Sequence, residues 1–238
     1  MPAQDGFLLM STPTPSRPLL GLTILLVEDS RYASEAMRLL CQRSGARLRR
    51  ADTIAHARQH LRTYRPGVVI VDMGLPDGSG AELIVQLARA TPRVDVILGI
   101  SGDPANENVA RAAGADDFLV KPVASIALFQ NKILSLLPSS RRPAGPREII
   151  NDKIKPDPLS LRDDLTAIGQ VLSDRDRPGG ADYAVQFLSS VAHDSGDRVL
   201  EEAANGLRLA RRDGRPEGPA TARLSAVIQD RIAATPPL

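Results

Sequence analysis

The chain has 238 residues, 42% of them hydrophobic, and 30 basic side chains against 28 acidic ones give a net charge of +2. That near-balance exerts no strong pull on nucleic acid or an anionic membrane, and no Trp with only 3% aromatics leaves few stacking platforms for single-stranded nucleic acid. No apolar run approaches the roughly 20 residues of a membrane span, no basic segment leads into a long apolar core at the N-terminus, and the single cysteine, Cys41, fits a reducing, cytoplasmic compartment.

Residues 1–20, with "STPTPSRP" at 11–18, predict a flexible tail, and Met10 is an alternative start. A rhythm then begins. "LTILLV" (22–27) is a short apolar strand, and "RYASEAMRLLCQRSG" (31–45) places Ala33, Ala36, Met37, Leu40 and Cys41 at helical spacing before a terminating glycine. "ARLRRA" (46–51) alternates weakly, and "TIAHARQHLRTYRPG" (53–67) is helical with Ile54, Ala57, Leu61 and Tyr64 inward. "VVIV" (68–71) and "VDVILGI" (94–100) are strands on either side of a helix at 79–91. A short helix at 104–115, the strand "DFLV" (117–120) and a helix at 123–137 close the series, with Ile126, Phe129, Ile133 and Leu137 facing in.

Strand and helix thus alternate five times over residues 21–138. Near-continuous apolar strands require burial on both faces, hence a doubly wound parallel α/β sheet. From 139 to 158 prolines and scattered charge predict a linker. Residues 159–238 show only helical periodicity, with "SLRD" at Ser160–Asp163 as a capping box, and predict a small all-helical domain. From Ser139 onward 15 Lys and Arg face 15 Asp and Glu, so this part is neutral.

In open parallel sheets the site lies beyond the carboxyl ends of the strands. The first strand delivers Glu28, Asp29 and Ser30 there, the third Asp72, the fourth Ser101, and the fifth Lys121 followed by Pro122. Three crowded carboxylates raise one another's pKa unless cations relieve them. Oxygen ligands with open positions suit Mg²⁺, and a strand-end carboxylate beside that ion can act as a nucleophile toward phosphorus. Lys121 and Ser101 can then hold phosphoryl oxygens.

"ILLVEDS", "VIVDMGLPDGSG", "ILGIS" and "FLVKP" together resemble the receiver domain of two-component response regulators over about residues 21–138. The resemblance implies a flavodoxin-like (βα)5 fold and a phosphoacceptor at Asp72. It implies Mg²⁺ held by Glu28, Asp29, Asp72 and the carbonyl of Gly74, and Ser101 with Phe118 as the switch pair. Lys121 takes the place of the family's lysine, with a cis Lys121–Pro122 bond. The chain then signals rather than acting as a metabolic enzyme. Its phosphodonor is a sensor histidine kinase or phosphotransfer protein, and its output passes through the helical domain to a protein partner or a second copy. The alternative output is DNA or RNA binding in transcription or antitermination. Gly74 and Asp103 stand at positions that in this family modulate access of the hydrolytic water.

A haloacid-dehalogenase-type hydrolase wants a second acid where Gly74 stands, a dinucleotide fold wants a glycine-rich turn after the first strand, and an EF-hand wants ligands at Gly74 and Pro76. Two features remain outside this reading. His193 lies beside Asp194 on a helix, as phosphotransfer histidines do, but without the rest of such a motif. Arg208, Arg211, Arg212 and Arg215 cluster at a helix end, where the dipole favours cations.

Overall fold

The computed structural model describes residues 12–143, 149, 152–174 and 179–235. The expectations for residues 1–11, including Met10, and for the middle of the linker lie outside them.

The first half alternates as the pattern predicts: β1 (Thr23–Val27), α1 (Arg31–Ser44), β2 (Arg47–Ala51), α2 (Ile54–Thr63), β3 (Val68–Asp72), then a minimal hairpin of β4 (Gly74–Leu75) and β5 (Gly78–Ser79), then α3 (Gly80–Arg89), β6 (Val96–Ser101), α4 (Asn106–Ala113), β7 (Asp117–Val120) and α5 (Ile126–Leu136). The five long strands form one parallel sheet in the order β2-β1-β3-β6-β7. In chain order of the long strands this is 2-1-3-4-5, the flavodoxin-like winding. Each sheet face carries its own core. Ile24, Leu26, Ile70 and Leu98 pack with Met37, Leu40, Phe129 and Ile133 of α1 and α5. Leu25, Val27, Val69, Val71 and Ile97 pack with Leu83, Ile84 and Leu87 of α3, and with Ala110 and Phe118. Alternate residues of one strand serve opposite faces, which explains why β3 is buried throughout.

Local signals set the helix ends. Ser30, Thr53, Ser79 and Ser125 cap α1, α2, α3 and α5 with their hydroxyls. Gly45 ends α1 at φ +85°, where a side chain would be strained. Asp77, past the β3 turn, accepts the amides of Ile54 and Ala55 and so ties the hairpin to the start of α2.

Two expectations shift. Packing begins before residue 21: Leu19 is buried in the core, and its amide donates to Ser44 O. An apolar side chain that can close the end of the α1–α5 layer gains more from burial than a free tail gains in entropy. The helical domain starts at Pro158, and the cap is Asp157, not Ser160. Proline pre-sets the first-turn φ, and the Asp157 carboxylate takes the Leu159 amide, so the helix opens one turn early. Ser160 Oγ donates to Asp157 O instead, and Asp163 pairs with Arg31. Both ends of the linker are anchored, Arg141 by its pair with Asp95 and Ile154 by its amide, which donates to Ala124 O.

Four helices follow: α6 (Pro158–Ser173), α7 (Gly180–Ser195), α8 (Arg198–Arg212) and α9 (Gly218–Ala234). α6 packs on α7 and α9, and α8 joins α7 to α9, around Leu165, Ile168, Leu188, Leu200, Leu207 and Leu224. No helix among the described residues is long and apolar enough to cross a membrane.

Two glycines test this packing in opposite directions. A Cβ on Gly80 would lie 2.8 Å from the carbonyl carbon of Asp72, whereas one on Gly206, inside α8, would meet nothing. Denaturant unfolding is therefore expected to show Gly80→Ala destabilised by about 1–3 kcal/mol and Gly206→Ala stabilised by about 0.5–1 kcal/mol.

Candidate functional site

The carboxyl ends of β1, β3, β6 and β7 bring Glu28, Asp29, Asp72, Ser101 and Lys121 to one edge. Asp72 and Lys121 are nearly sealed, at 6% and 3% exposure. Lys121 Nζ donates to Asp72 Oδ2 at 2.6 Å and stands 2.7 Å from Glu28 Oε2. Asp72 Oδ1 takes the amide of Gly74 at 3.0 Å, and Glu28 Oε1 takes that of Ser30. The Arg50 guanidinium donates to the carbonyls of Glu28 and Asp29 and so braces the loop that carries them. The peptide bond between Lys121 and Pro122 is cis.

Burial dominates the electrostatics. It lifts the Glu28 carboxyl well above its ordinary range, with Asp72 and Asp29 adding to the rise and Lys121 opposing it. Asp29 is pushed up to about 6, mainly by burial, against a hydrogen bond from Tyr183. Burial alone would lower the Lys121 ammonium, but Asp72, Glu28 and Asp194 raise it well above its usual value.

One oxygen each of Glu28, Asp29 and Asp72 can lie within 4.8 Å of one another. Glu28 Oε2 is buried without an aligned hydrogen-bond donor. A hard divalent cation such as Mg²⁺ fits that donor set, because it would relieve the mutual repulsion that raises these carboxylates.

The two residues of the expected switch pair sit differently. Ser101 Oγ accepts from the Asp103 amide at 3.1 Å and from Asn106 Nδ2 at 3.0 Å, so it is turned toward the start of α4. Phe118 is buried against Gly99, where a Cβ would stand 2.9 Å from its ring.

The sequence reading missed what covers this edge. α7 lays a polar stripe across it, and α6 grips the neighbouring helix. Tyr183 Oη donates to Asp29 Oδ2 at 2.6 Å. Lys121 Nζ reaches Ser190 Oγ at 3.4 Å, and His193 Nε2 lies 3.1 Å from the carbonyl oxygen of Lys121. Asp164, buried on α6, accepts from Ser30 Oγ at 2.8 Å and from the amides of Arg31 and Tyr32 at 2.9 and 3.0 Å. A carboxylate there satisfies the free amides at the α1 N-terminus and meets its positive dipole end. Burial nevertheless raises the Asp164 pKa, against those hydrogen bonds. A cavity of about 1020 Å³ remains between the two halves, lined by Glu28, Asp29, Asp72, Ser101, Gln186 and His193 among others. One signal could have found this face: residues 183, 186, 190 and 193 are polar and fall at helical spacing on one side of α7. The arginine cluster is largely neutralised, with Arg211 paired to Asp182 and Glu217, and Arg212 and Arg215 to Asp213.

Residues 24–132 match the family model described as the response regulator receiver domain. The KDP operon transcriptional regulatory protein KdpE of Escherichia coli is 32% identical over 99 residues, which cover 42% of this chain and 44% of that protein. The probable transcriptional regulatory protein TcrX of Mycobacterium tuberculosis is 30% identical over 102 residues, 42% of this chain and 44% of its own length. The chain thus spans less than half the length of these curated relatives. A putative response regulator from Chloroflexus aurantiacus has a solved structure that matches with a TM-score of 0.46 at 25% identity, over 48% of this chain and 96% of that one. The family match ends at residue 132, before α6 begins.

Two measurements check the site. Asp29→Ala is expected to weaken Mg²⁺ binding in a calorimetric titration far more than Asp77→Ala, since Asp77 is spent on capping α2. Asp194 carries a buried Oδ1 without a partner, and burial pushes its pKa from 3.8 to about 6, with Lys121 opposing. A raised carboxyl pKa costs stability fully above the folded value and not at all below the unfolded one. Asp194→Asn is therefore expected to unfold later than the parent at pH 7, with the gap closing as pH falls from about 6 toward 3.8.

Proposed function

We propose that this chain, a response regulator receiver domain over residues 24–132 followed by four packed helices, accepts a phosphoryl group on Asp72 and thereby controls the docking of those helices. The observation that carries this is the buried cluster of Asp72, Lys121, Glu28 and Asp29 at the carboxyl edge of the sheet, with α7 seated on the same side chains.

Asp72 is the nucleophile. One of its oxygens attacks the phosphorus of the donor, a phosphohistidine of a sensor kinase or phosphotransfer protein, and the donor's imidazole leaves. A Mg²⁺ ion held by Glu28, Asp29, Asp72 and the Gly74 carbonyl would neutralise charge on the phosphoryl oxygens. Lys121, already 2.6 Å from Asp72, holds another of those oxygens. Ser101 is the remaining donor. To reach the phosphoryl it leaves Asp103 and Asn106, which opens space at α4 for Phe118 to turn into.

The helices feel this directly. Phosphorylation adds about two negative charges and new acceptor oxygens. They arrive where Tyr183 now holds Asp29 and Ser190 meets Lys121. Docking and phosphorylation draw on the same groups, so each lowers the affinity of the other. Release of α6 and α7 would free Asp163 from Arg31 and present it, with Asp164 and the polar stripe of α7, to a protein partner or a second copy. The neutral charge of the helical part and its paired arginines favour protein over nucleic acid. The relatives named as transcriptional regulators keep nucleic acid as the second reading.

Incubation with Mg²⁺ and a small phosphodonor is expected to label the parent once and Asp72→Asn not at all, read by intact mass. Hydrogen exchange on the labelled chain is expected to rise over 158–195 and at the amides of Arg31 and Tyr32. Equal labelling of Asp72→Asn would refute the acceptor, and unchanged exchange would refute control of docking. A salt titration of DNA and RNA binding by the labelled chain separates the two outputs.

A further inference from the structure

Gly74 lies two residues after Asp72 and donates its amide to Asp72 Oδ1 at 3.0 Å. The space where any other residue would put a side chain there is already taken. A Cβ on Gly74 would fall inside contact with Nε2 of Gln186 and 2.9 Å from its Cδ. The helical part thus delivers an amide from α7 into the volume beside the acceptor that a local side chain would fill. Gln186 lines the same cavity as Glu28, Asp29, Asp72 and Ser101. Among the described residues its amide makes no hydrogen bond, unlike the hydroxyl of Tyr183, which is committed to Asp29. The other polar groups of the α7 stripe are placed elsewhere: Ser190 and His193 both sit on Lys121.

From this geometry we infer that Gln186 orients the water that hydrolyses the aspartyl phosphate, so that the docked helices act as a phosphatase in cis. The inference rests on Asp72 as phosphoacceptor. An amide is the one uncharged side-chain group with both a strong acceptor and two donors. Its Oε1 can take a hydrogen bond from water, while its NH₂ donates to a phosphoryl oxygen without repelling it. Residue 186 is exposed toward the cavity, so the amide does not seal water out. In the step itself the water oxygen bonds to phosphorus as the bond from phosphorus to the Asp72 oxygen breaks. Asp72 returns to carboxylate, and dihydrogen phosphate leaves with both hydrogens of the water, one of which is lost to solvent at neutral pH. The phosphoryl lifetime then depends on docking: a docked chain resets quickly, and a released chain holds its phosphate.

The test uses the full chain, labelled with Mg²⁺ and a small phosphodonor and desalted, with decay followed by intact mass. Gln186→Leu keeps the size and removes the amide. Gly74→Ala leaves the amide intact but pushes aside the far end of a flexible side chain, which the fold tolerates. Each is expected to slow decay at least about tenfold, in line with the loss of an orienting hydrogen bond to a reacting water. The double variant is expected to be no slower than either single, because both act through one group. Undiminished decay in Gln186→Leu, or effects that multiply in the double variant, overturns the role of the amide. Slowing in a variant whose unlabelled form has already lost exchange protection at Arg31 and Tyr32, relative to the unlabelled parent, assigns the effect to undocking and also overturns it. A parent that takes no label at Asp72 instead refutes the acceptor, and the inference falls with it.

Discussion

A lysine ammonium buried between two carboxylates is the interaction on which this structure turns. Lys121 is 3% exposed, and the carboxylates of Asp72 and Glu28 hold its charge at 2.6 and 2.7 Å. A buried ion pair of this kind is weak evidence for stability, because desolvation offsets much of the attraction. It is better understood as a charge placed for use. Three carboxylates against one ammonium leave the cluster short of positive charge, and burial converts that shortage into raised carboxyl pKa values at Glu28 and Asp29. The same shortage makes the edge receptive to a cation.

The helical domain is adapted to that cluster more than to the sheet beneath it. Its contacts are polar and specific: a tyrosine hydroxyl on Asp29, a serine near Lys121, and a carboxylate on the first amides of α1. Asp164 takes the place an anion would take at a helix N-terminus, so the two halves are joined by charge complementarity at the start of α1. Contacts of this type are strong while water is excluded and easily exchanged once new charge arrives. They suit the closing and opening proposed for this surface. An apolar interface of similar extent would hold regardless of what happened on Asp72.

The glycine at position 74 connects the two halves in a second way. Read alone, it is a small residue in a turn. Against α7 it is the vacancy that admits Gln186. A single Cβ there would alter the cavity from the sheet side, just as a change at Gln186 would alter it from the helical side. The chemistry of the edge is therefore shared between segments more than a hundred residues apart.

The sequence by itself determined the parallel sheet, its four crossovers and the convergence of Glu28, Asp29, Asp72, Ser101 and Lys121. The reason is that these depend on local quantities: apolar runs too continuous for a half-exposed strand, glycine and serine at helix ends, and the rule that strand ends share an edge. It also marked α6 to α9 as helices, although it placed the first cap at Ser160 where proline and Asp157 fix it earlier. Only the tertiary structure decided that Leu19 belongs to the core, that Ser101 faces α4, and that Asp164, Tyr183 and Gln186 meet the site. Leu19 and Ser101 are placed by packing within the first half, and Asp164, Tyr183 and Gln186 by docking of the helical part onto the sheet edge. Docking depends on shape and charge matched across distant segments, so the polar spacing of 183, 186, 190 and 193 marks a face of α7 without saying what it meets.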